Sequence, residues 1–349
     1  MTRQPLAVIR ADASAATGTG HVVRSTALAS ALVSHGWAVR LATYALPDGL
    51  REPWTSRGLG VLELRHGDAP ADEASAIRPK LAAEPALVVG DHYGLAEAWW
   101  STARDAFPEA LLLAVDDLAA GPIAADLILN PNLGADTAAY RRSPSSILAG
   151  PKYAIVRPRF AELRAQSLAR RRGAIKRIFV FVGGADRDNV TARLARIVLK
   201  ESRGLALAVD VVLGAAAPHV REMAKLVGGS PGARLHVNTP DIADLMARAD
   251  LAFGAPSSAS WERCTLGLPA ITLTIADNQV SVAAALASSG ASISLGWHHA
   301  VTDEEIAGAI RELVTDPARV ARMSRAAADL TDGRGAERVV DAIEGLIPR

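Results

Sequence analysis

Short runs of aliphatic and β-branched residues alternate along the chain with longer stretches in which apolar residues recur every three or four positions. The first kind predicts strands over 6–10, 38–43, 61–64, 86–90, 111–115 and 127–129, with helices between them. The first helix, over 21–34, sets Ala27, Leu28, Ala31 and Leu32 at helical spacing and stops at Gly36. A second series starts near Lys176, with strands over 178–182, 208–213, 234–237, 251–253, 270–273 and 292–295. Its helices fit at 189–202, 219–227, 242–248, 258–266 and 280–288, and a helical tail follows over 303–314, 317–330 and 335–346. This rhythm predicts an α/β protein of two doubly wound, Rossmann-like domains, each a parallel sheet with helices on both faces. The expected division is 1–157, a linker over 158–175, a second domain over 176–330 and a C-terminal helix over 331–349. Two such domains facing each other bind ligands at the carboxyl ends of their strands, in the cleft.

Composition narrows the class. A chain of 349 residues suits two domains of about 150 each. Half of it is hydrophobic, which argues against disorder. The 38 basic and 37 acidic residues nearly cancel, so no nucleic-acid surface is indicated. One basic cluster, Arg170 to Arg172 with Lys176 and Arg177, reads either as a solvated linker or as a polyanion patch. The single cysteine, Cys264, excludes an intrachain disulfide and reads as a small core residue. No charged-then-apolar signal segment precedes the first strand, and no apolar run reaches membrane-spanning length. A reducing, cytoplasmic location without a membrane partner is the expectation.

Candidate chemistry gathers where strands end. The first strand-to-helix turn contains Asp12, Gly18, Gly20, His21 and Arg24. Glycines there allow close backbone approach, and the helix start offers N–H groups to anionic oxygens. Val23 stands where a dinucleotide fingerprint needs its third glycine, so that reading is weak. His21 fits either a capping or buried role or a cleft-facing one. Asp91-His92-Tyr93-Gly94 follows one strand and Asp116-Asp117 another; the aspartate pair fits metal or acid–base work, or an N-cap beside a solvated turn. In the second half Gly183-Gly184, with Asp186 and Asn189 after it, suits a diphosphate. Ser257, Ser258 and Ser260 can cap a helix and donate to phosphate, and Glu262 suits either the helix dipole or a ribose diol. Asp277, Asn278 and Gln279 end a strand with groups able to read sugar hydroxyls or an acetamido group. No histidine pair stands at metal-ligand spacing with a carboxylate, and Gly-x-Ser-x-Gly is missing; neither a metal nor another cofactor is expected.

Taken in order, these stretches resemble a known family. They are Arg10-Ala11-Asp12-Ala13-Ser14 with Gly18-x-Gly20-His21-x-x-Arg24, Asp91-His92-Tyr93-Gly94-Leu95, Asp116-Asp117-Leu118, Leu129-Asn130-x-Asn132 and Gly150-Pro151-x-Tyr153-Ala154-x-x-Arg157-Pro158-x-Phe160. Further on come Gly183-Gly184-x-Asp186-x-x-Asn189, Ser260-Trp261-Glu262-Arg263-Cys264-x-Leu266-Gly267-Leu268-Pro269, Ala276-Asp277-Asn278-Gln279 and Asp332-Gly333-x-Gly335-x-x-Arg338-Val339-Val340. The chain is similar over nearly its whole length to the PseG family, the UDP-2,4-diacetamido-2,4,6-trideoxy-β-L-altropyranose hydrolases of pseudaminic acid biosynthesis, which feeds flagellin glycosylation. One departure stands out. Where that family has Gly-Ala-Ala-Gly-Ser, this chain carries Pro256-Ser257.

The resemblance implies a GT-B architecture related to MurG, with the nucleotide on the C-terminal domain. It also implies a catalytic histidine at His21, a cleft tyrosine at Tyr93, a substrate contact at Asn278 and a ribose contact at Glu262. On that basis His21 is the general base for water attacking C1, with inversion, and Asp12 orients it. Arg24 pairs with an acidic neighbour or meets substrate together with Gly20 and Arg157. N–H groups around Gly183 and Ser258 hold the diphosphate. A MurG-like glycosyltransferase and a non-catalytic nucleotide-sugar-binding regulator are the alternatives. The expected partner is a small UDP-sugar; the oligomeric state is left open.

Overall fold

The computed structural model describes residues 4–14, 18–44, 46–65, 72–140, 146–184, 186, 188–214, 217 and 219–347. Ala15, Ala16 and Thr17 of the first turn and Ala185 and Arg187 of the glycine turn lie outside the described residues. In chain order the elements are β1 (Leu6–Ala11), α1 (Gly20–Ser34), β2 (Ala38–Thr43), α2 (Asp48–Thr55), β3 (Gly60–Glu63), α3 (Glu73–Ile77), β4 (Leu87–Asp91), α4 (Glu97–Ala106), β5 (Leu111–Val115), β6 (Leu127–Asn130) and β7 (Ser146–Ala149). Then follow α5 (Pro158–Arg170), β8 (Arg177–Phe181), α6 (Val190–Leu205), β9 (Ala208–Leu213), α7 (Val220–Gly228), β10 (Ala233–Val237), α8 (Ile242–Arg248), β11 (Leu251–Gly254), α9 (Ala259–Thr265), β12 (Ala270–Thr274), α10 (Val280–Ser288), β13 (Ser292–Trp297), α11 (Asp303–Thr315), α12 (Pro317–Leu330) and α13 (Gly335–Leu346).

They form two units. Unit 1 is Met1–Arg157 with Arg334–Arg349, and unit 2 is Pro158–Gly333. Unit 1 holds a sheet ordered β3-β2-β1-β4-β5-β6-β7, and unit 2 one ordered β10-β9-β8-β11-β12-β13. Neighbouring strands pair in parallel in both. A parallel sheet is covered on both faces, so its strands read as near-continuous apolar runs. In β1, Ala7 and Ile9 enter one core and Val8 the other; in β4, Leu87 and Val89 part from Val88 in the same way. Each sheet is doubly wound. The winding reverses between β1 and β4 in unit 1 and between β8 and β11 in unit 2, and at such a point two loops part to leave a crevice.

Three expectations are corrected. Residues 158–175 are mostly not a linker: Pro158–Arg170 is helix α5, with Phe160 and Leu163 buried. Of the basic cluster that follows, Arg172 and Lys176 are exposed as expected, but Arg170 and Arg171 are tied to backbone carbonyls. Arg170 Nη1 donates to Ala249 O at 2.9 Å, and Arg171 donates through Nη1 to Ala249 O at 2.8 Å and through Nε to Leu266 O at 2.6 Å. They answer carbonyls that helices α8 and α9 leave unpaired at their carboxyl ends. Burial lowers the Arg171 guanidinium to about 9. Third, β7 extends the first sheet by one strand beyond those the pattern predicts; its four residues are too few to show a period.

Helix α13 follows unit 2 in sequence but completes unit 1. Val339, Val340 and Ile343 are fully buried in the core that also holds Leu28 and Leu32 of α1. Its first residue, Gly335, lies so close to the Ala154 carbonyl that a Cβ there would collide with backbone. Gly335→Ala should therefore cost about 1–3 kcal/mol of stability by overpacking. Gly345, in the same helix with open space around it, is the control. Gly345→Ala should be neutral or gain about 0.5 kcal/mol. Urea unfolding of the two variants measures both; an equal loss would show that the close approach does not constrain α13.

Candidate active site

Asp91 ends β4 and lies in register with Ala11, the last residue of β1. That puts its carboxylate at the switch point of the first sheet, against helix α1, and three side chains of α1 converge on it. His21 Nδ1 stands 2.7 Å from Asp91 Oδ1. Arg24 grips the same carboxylate with two bonds, Nη2 to Oδ1 at 2.5 Å and Nε to Oδ2 at 3.0 Å. Ser25 Oγ donates to Oδ2 at 3.2 Å. Positions i, i+3 and i+4 share one helix face, so one carboxylate can collect all three. Arg24 also donates through Nη1 to Asp117 Oδ2 at 3.1 Å, which ties in the loop after β5.

Asp91 is 1% exposed. Burial alone would raise its pKa, but the Arg24 guanidinium and His21 hold it far below the usual carboxylate range. Burial likewise penalises the Arg24 cation, and Asp91 and Asp117 more than reverse that, moving it above its ordinary value. The pair is therefore ionised, and its charge-assisted, two-pronged geometry offsets the desolvation. An ionised carboxylate only accepts. In its neutral form His21 thus carries its proton on Nδ1 and keeps a lone pair on Nε2, as a general base requires. The Tyr93 ring meets the His21 ring edge-on, with centroids 4.5 Å apart.

Asp12 does not orient His21; Asp91 does. The Asp12 side chain is held towards β2 instead. It accepts from Arg10 Nη2 at 2.7 Å, from Thr43 Oγ1 at 2.9 Å and from the Tyr44 amide at 2.9 Å. Arg10, fully buried, is held in turn by Glu73 of α3 and lies over the Tyr44 ring. The aspartates after β5 divide their roles. Asp116 accepts from the Leu118 and Ala119 amides, both at 3.0 Å, and from the Tyr140 hydroxyl at 2.6 Å, while Asp117 pairs with Arg24. Asp116 is thus a turn-forming group. Gly20 opens α1, and Arg157 closes the first segment of unit 1, half-buried.

In unit 2 the turns at the switch point are partly filled by their own side chains. Asp186 is not open to a ligand: its carboxylate accepts from the Val190 amide at 2.9 Å and the Thr191 amide at 3.1 Å, taking N–H groups of α6 that a diphosphate would need. Ser260 is buried and accepts from Arg263 Nη2 at 2.8 Å, so it faces inward. Gln279 folds back, its Oε1 accepting from the Ile275 amide at 3.0 Å. Asn189 holds a left-handed backbone at the start of α6, with Nδ2 3.5 Å from Glu222 Oε2. Gly183 and Gly184 are half-buried, and the Gly184 backbone lies against Gly214, where a Cβ would collide. Ser258, Asp277 and Asn278 are exposed, and Glu262 is buried in α9. Cys264 is buried, and burial raises its thiol to about 12. Among the described residues no group of three His, Cys, Asp or Glu side chains is placed to hold a metal ion, and no helix is long and apolar enough to cross a membrane.

Two parallel, doubly wound sheets make this chain an α/β protein of the GT-B type. MurG of Acinetobacter baumannii has the same fold, with a TM-score of 0.69 at 16% identity, covering 99% of this chain and 100% of that one. A putative UDP-N-acetylglucosamine 2-epimerase of Listeria monocytogenes follows at 0.67 and 16%, covering 98% and 96%. Among curated proteins, the spore coat polysaccharide biosynthesis protein SpsG of Bacillus subtilis (strain 168) is 25% identical over 208 residues, 59% of this chain and 60% of that protein. An uncharacterized protein of Methanocaldococcus jannaschii is 22% identical over 270 residues, 75% of this chain and 54% of that one. The matches thus span little more than half the length of these curated relatives. No family model matches the chain.

Asp91→Asn would leave Arg24 buried with one charge partner fewer, at a cost of about 3–5 kcal/mol. Because the folded-state pKa of Asp91 is depressed, its contribution is complete above the unfolded value of about 3.9 and is lost as pH falls below it. The stability gap between wild type and variant should shrink as pH falls below about 4 and close in stronger acid. Denaturant titrations across that range check it, and a gap that widens in acid would contradict the assigned charge state.

Proposed function

We propose that the chain hydrolyses a UDP-sugar at the anomeric carbon, with UDP-2,4-diacetamido-2,4,6-trideoxy-β-L-altropyranose as substrate. One observation carries the reading: a histidine whose Nδ1 is fixed by a buried, Arg-clamped carboxylate at a sheet's switch point, leaving Nε2 to act as a base. His21 Nε2 takes a proton from water as its oxygen bonds to C1. The C1–O bond breaks, and its electron pair leaves on the β-phosphate oxygen of UDP. Asp91 stabilises the imidazolium that forms, and Arg24 keeps Asp91 in place. UDP is a good leaving group and needs little protonation, so one base suffices. Attack opposite the leaving group inverts C1.

Unit 2 supplies the nucleotide contacts in this reading. N–H groups at Gly183 and Gly184 and the exposed Ser258 receive the diphosphate. Glu262 holds the ribose, and Asp277 and Asn278 read the sugar substituents. A Staphylococcus aureus protein of this fold, MnaA, has been solved with UDP, which supports a uridine nucleotide as ligand. The relative named for spore coat polysaccharide biosynthesis supports a role in making a surface glycan, and the sequence resemblance points to pseudaminic acid. The fold shared with MurG favours a second reading, a glycosyltransferase with a sugar acceptor in place of water. Release of UDP with no acceptor present distinguishes the two.

His21→Ala and His21→Asn should lower turnover by about 10²–10⁴-fold, the usual share of a general base, while UDP affinity changes little. Anion-exchange measurement of UDP release shows the first and calorimetry the second. Near-normal turnover in either variant would remove the base from His21. Run in ¹⁸O-water with excess EDTA, the reaction should proceed and yield UDP and a free reducing sugar labelled at the C1 oxygen. Label in phosphate, or UMP and a sugar phosphate as products, would mean attack at phosphorus and end the proposal.

A further inference from the structure

His92 follows Asp91 at the end of β4, and its ring is oriented by its own loop. The Gly94 amide donates to His92 Nδ1 at 2.9 Å. Nδ1 therefore carries the lone pair, and neutral His92 bears its proton on Nε2, the opposite tautomer to His21. A side chain at position 94 would press on the ring, so the glycine permits this contact. Burial, and after it the charge of Arg10, lower the pKa of His92 and keep it neutral. Its Nε2 stands 3.8 Å from Asp12 Oδ2, with the two side chains 20% and 14% exposed. The Asp12 carboxyl is held below its ordinary value: burial would raise it, and the bonds from Arg10, Tyr44 and Thr43 outweigh that.

The site thus presents one fixed N–H donor and one fixed anionic acceptor. They are too far apart to bond each other, and both are reached from solvent. A single oxygen about 2.8 Å from each would bridge them, accepting from His92 and donating to Asp12. Only a hydroxyl or a water offers both on one atom. A trans amide sends its N–H and C=O in opposite directions, so an acetamido group cannot serve both from one side. The centroid of the His92 ring is 6.1 Å from that of the proposed base His21, so one sugar can present C1 to His21 and a ring hydroxyl to the pair.

We infer that His92 and Asp12 form a donor–acceptor pair that recognises a ring hydroxyl of the bound sugar. The inference rests on the proposed substrate for the choice of hydroxyl. A 2,4-diacetamido-2,4,6-trideoxypyranose linked to UDP through C1 has one free ring hydroxyl, at C3. The pair therefore sets specificity, and Asp12 acts on the sugar and not on the base.

The test measures affinity by calorimetry in a His21→Asn background, so that turnover does not interfere. The ligands are UDP, the UDP-diacetamido sugar and its 3-deoxy counterpart. The full sugar should bind about 10- to 100-fold more tightly than the 3-deoxy analogue, the range for hydrogen bonds to a charged and a neutral partner. His92→Phe should erase most of that ratio and leave UDP affinity unchanged. His92→Gln, which keeps an N–H donor, should restore part of it. Equal affinity for the two sugars, or a ratio that survives His92→Phe, overturns the inference, as an ordered water alone would give. If the ratio holds while the protein with His21 intact releases no UDP, the hydrolase reading fails and the hydroxyl contact stands.

Discussion

The buried carboxylate of Asp91 is the constraint on which the rest of unit 1 is arranged. A carboxylate sealed from water at the end of a central strand is tolerable only with a cation and further donors against it. Arg24 supplies the cation, and Ser25 and His21 the donors. All three come from one face of α1, so satisfying Asp91 fixes how that helix is rotated over the sheet. The same bonds decide which nitrogen of His21 is left basic. Asp117 then joins Arg24 from the next loop, so helix α1 and the ends of β4 and β5 are bound into one charged cluster.

The two sheets reverse their winding in the same way, yet the groups at the two reversals differ. Unit 1 gathers fixed charges that lock each other. Unit 2 turns its polar groups there inward, Asp186 on the start of α6 and Ser260 on Arg263, and one strand further on Gln279 folds onto its own loop. What it leaves outward is backbone and short side chains. Architecture common to glycosyltransferases and an epimerase therefore says little about the reaction; the side chains at each reversal carry that information.

Much of this was readable in the residues. Apolar runs of four to six residues marked most strands, because a sheet covered on both faces has no polar positions to spare. His21 and Arg24 were legible as a glycine-flanked histidine with an arginine one turn on. The partner of His21 was not. Asp12 and Asp91 both follow strands, and nothing along the chain says which of two neighbouring strand ends a helix will lean on. The pairing of β1 with β4 decides it, and that is a fact of topology. Asp186 misled for a related reason: an acidic residue before a helix serves a ligand or the helix itself, and only the bonds to Val190 and Thr191 tell which. The carbonyl partners of Arg170 and Arg171 are equally hidden, because their positions depend on a helix about eighty residues later.

Helix α13 has a consequence for how the chain is made. Unit 2 is one continuous segment, whereas unit 1 is assembled from residues on either side of it. The first sheet leaves the ribosome early, with α1 on its surface, but the apolar face that Val339, Val340 and Ile343 cover stays bare until some two hundred further residues have been synthesised. Synthesis proceeds at about 5–20 residues per second, so that face waits on the order of ten seconds or more. Unit 2, although translated second, is the part able to finish first. The half that bears His21 matures last, and its nascent form is the one that needs protection from aggregation in the interval.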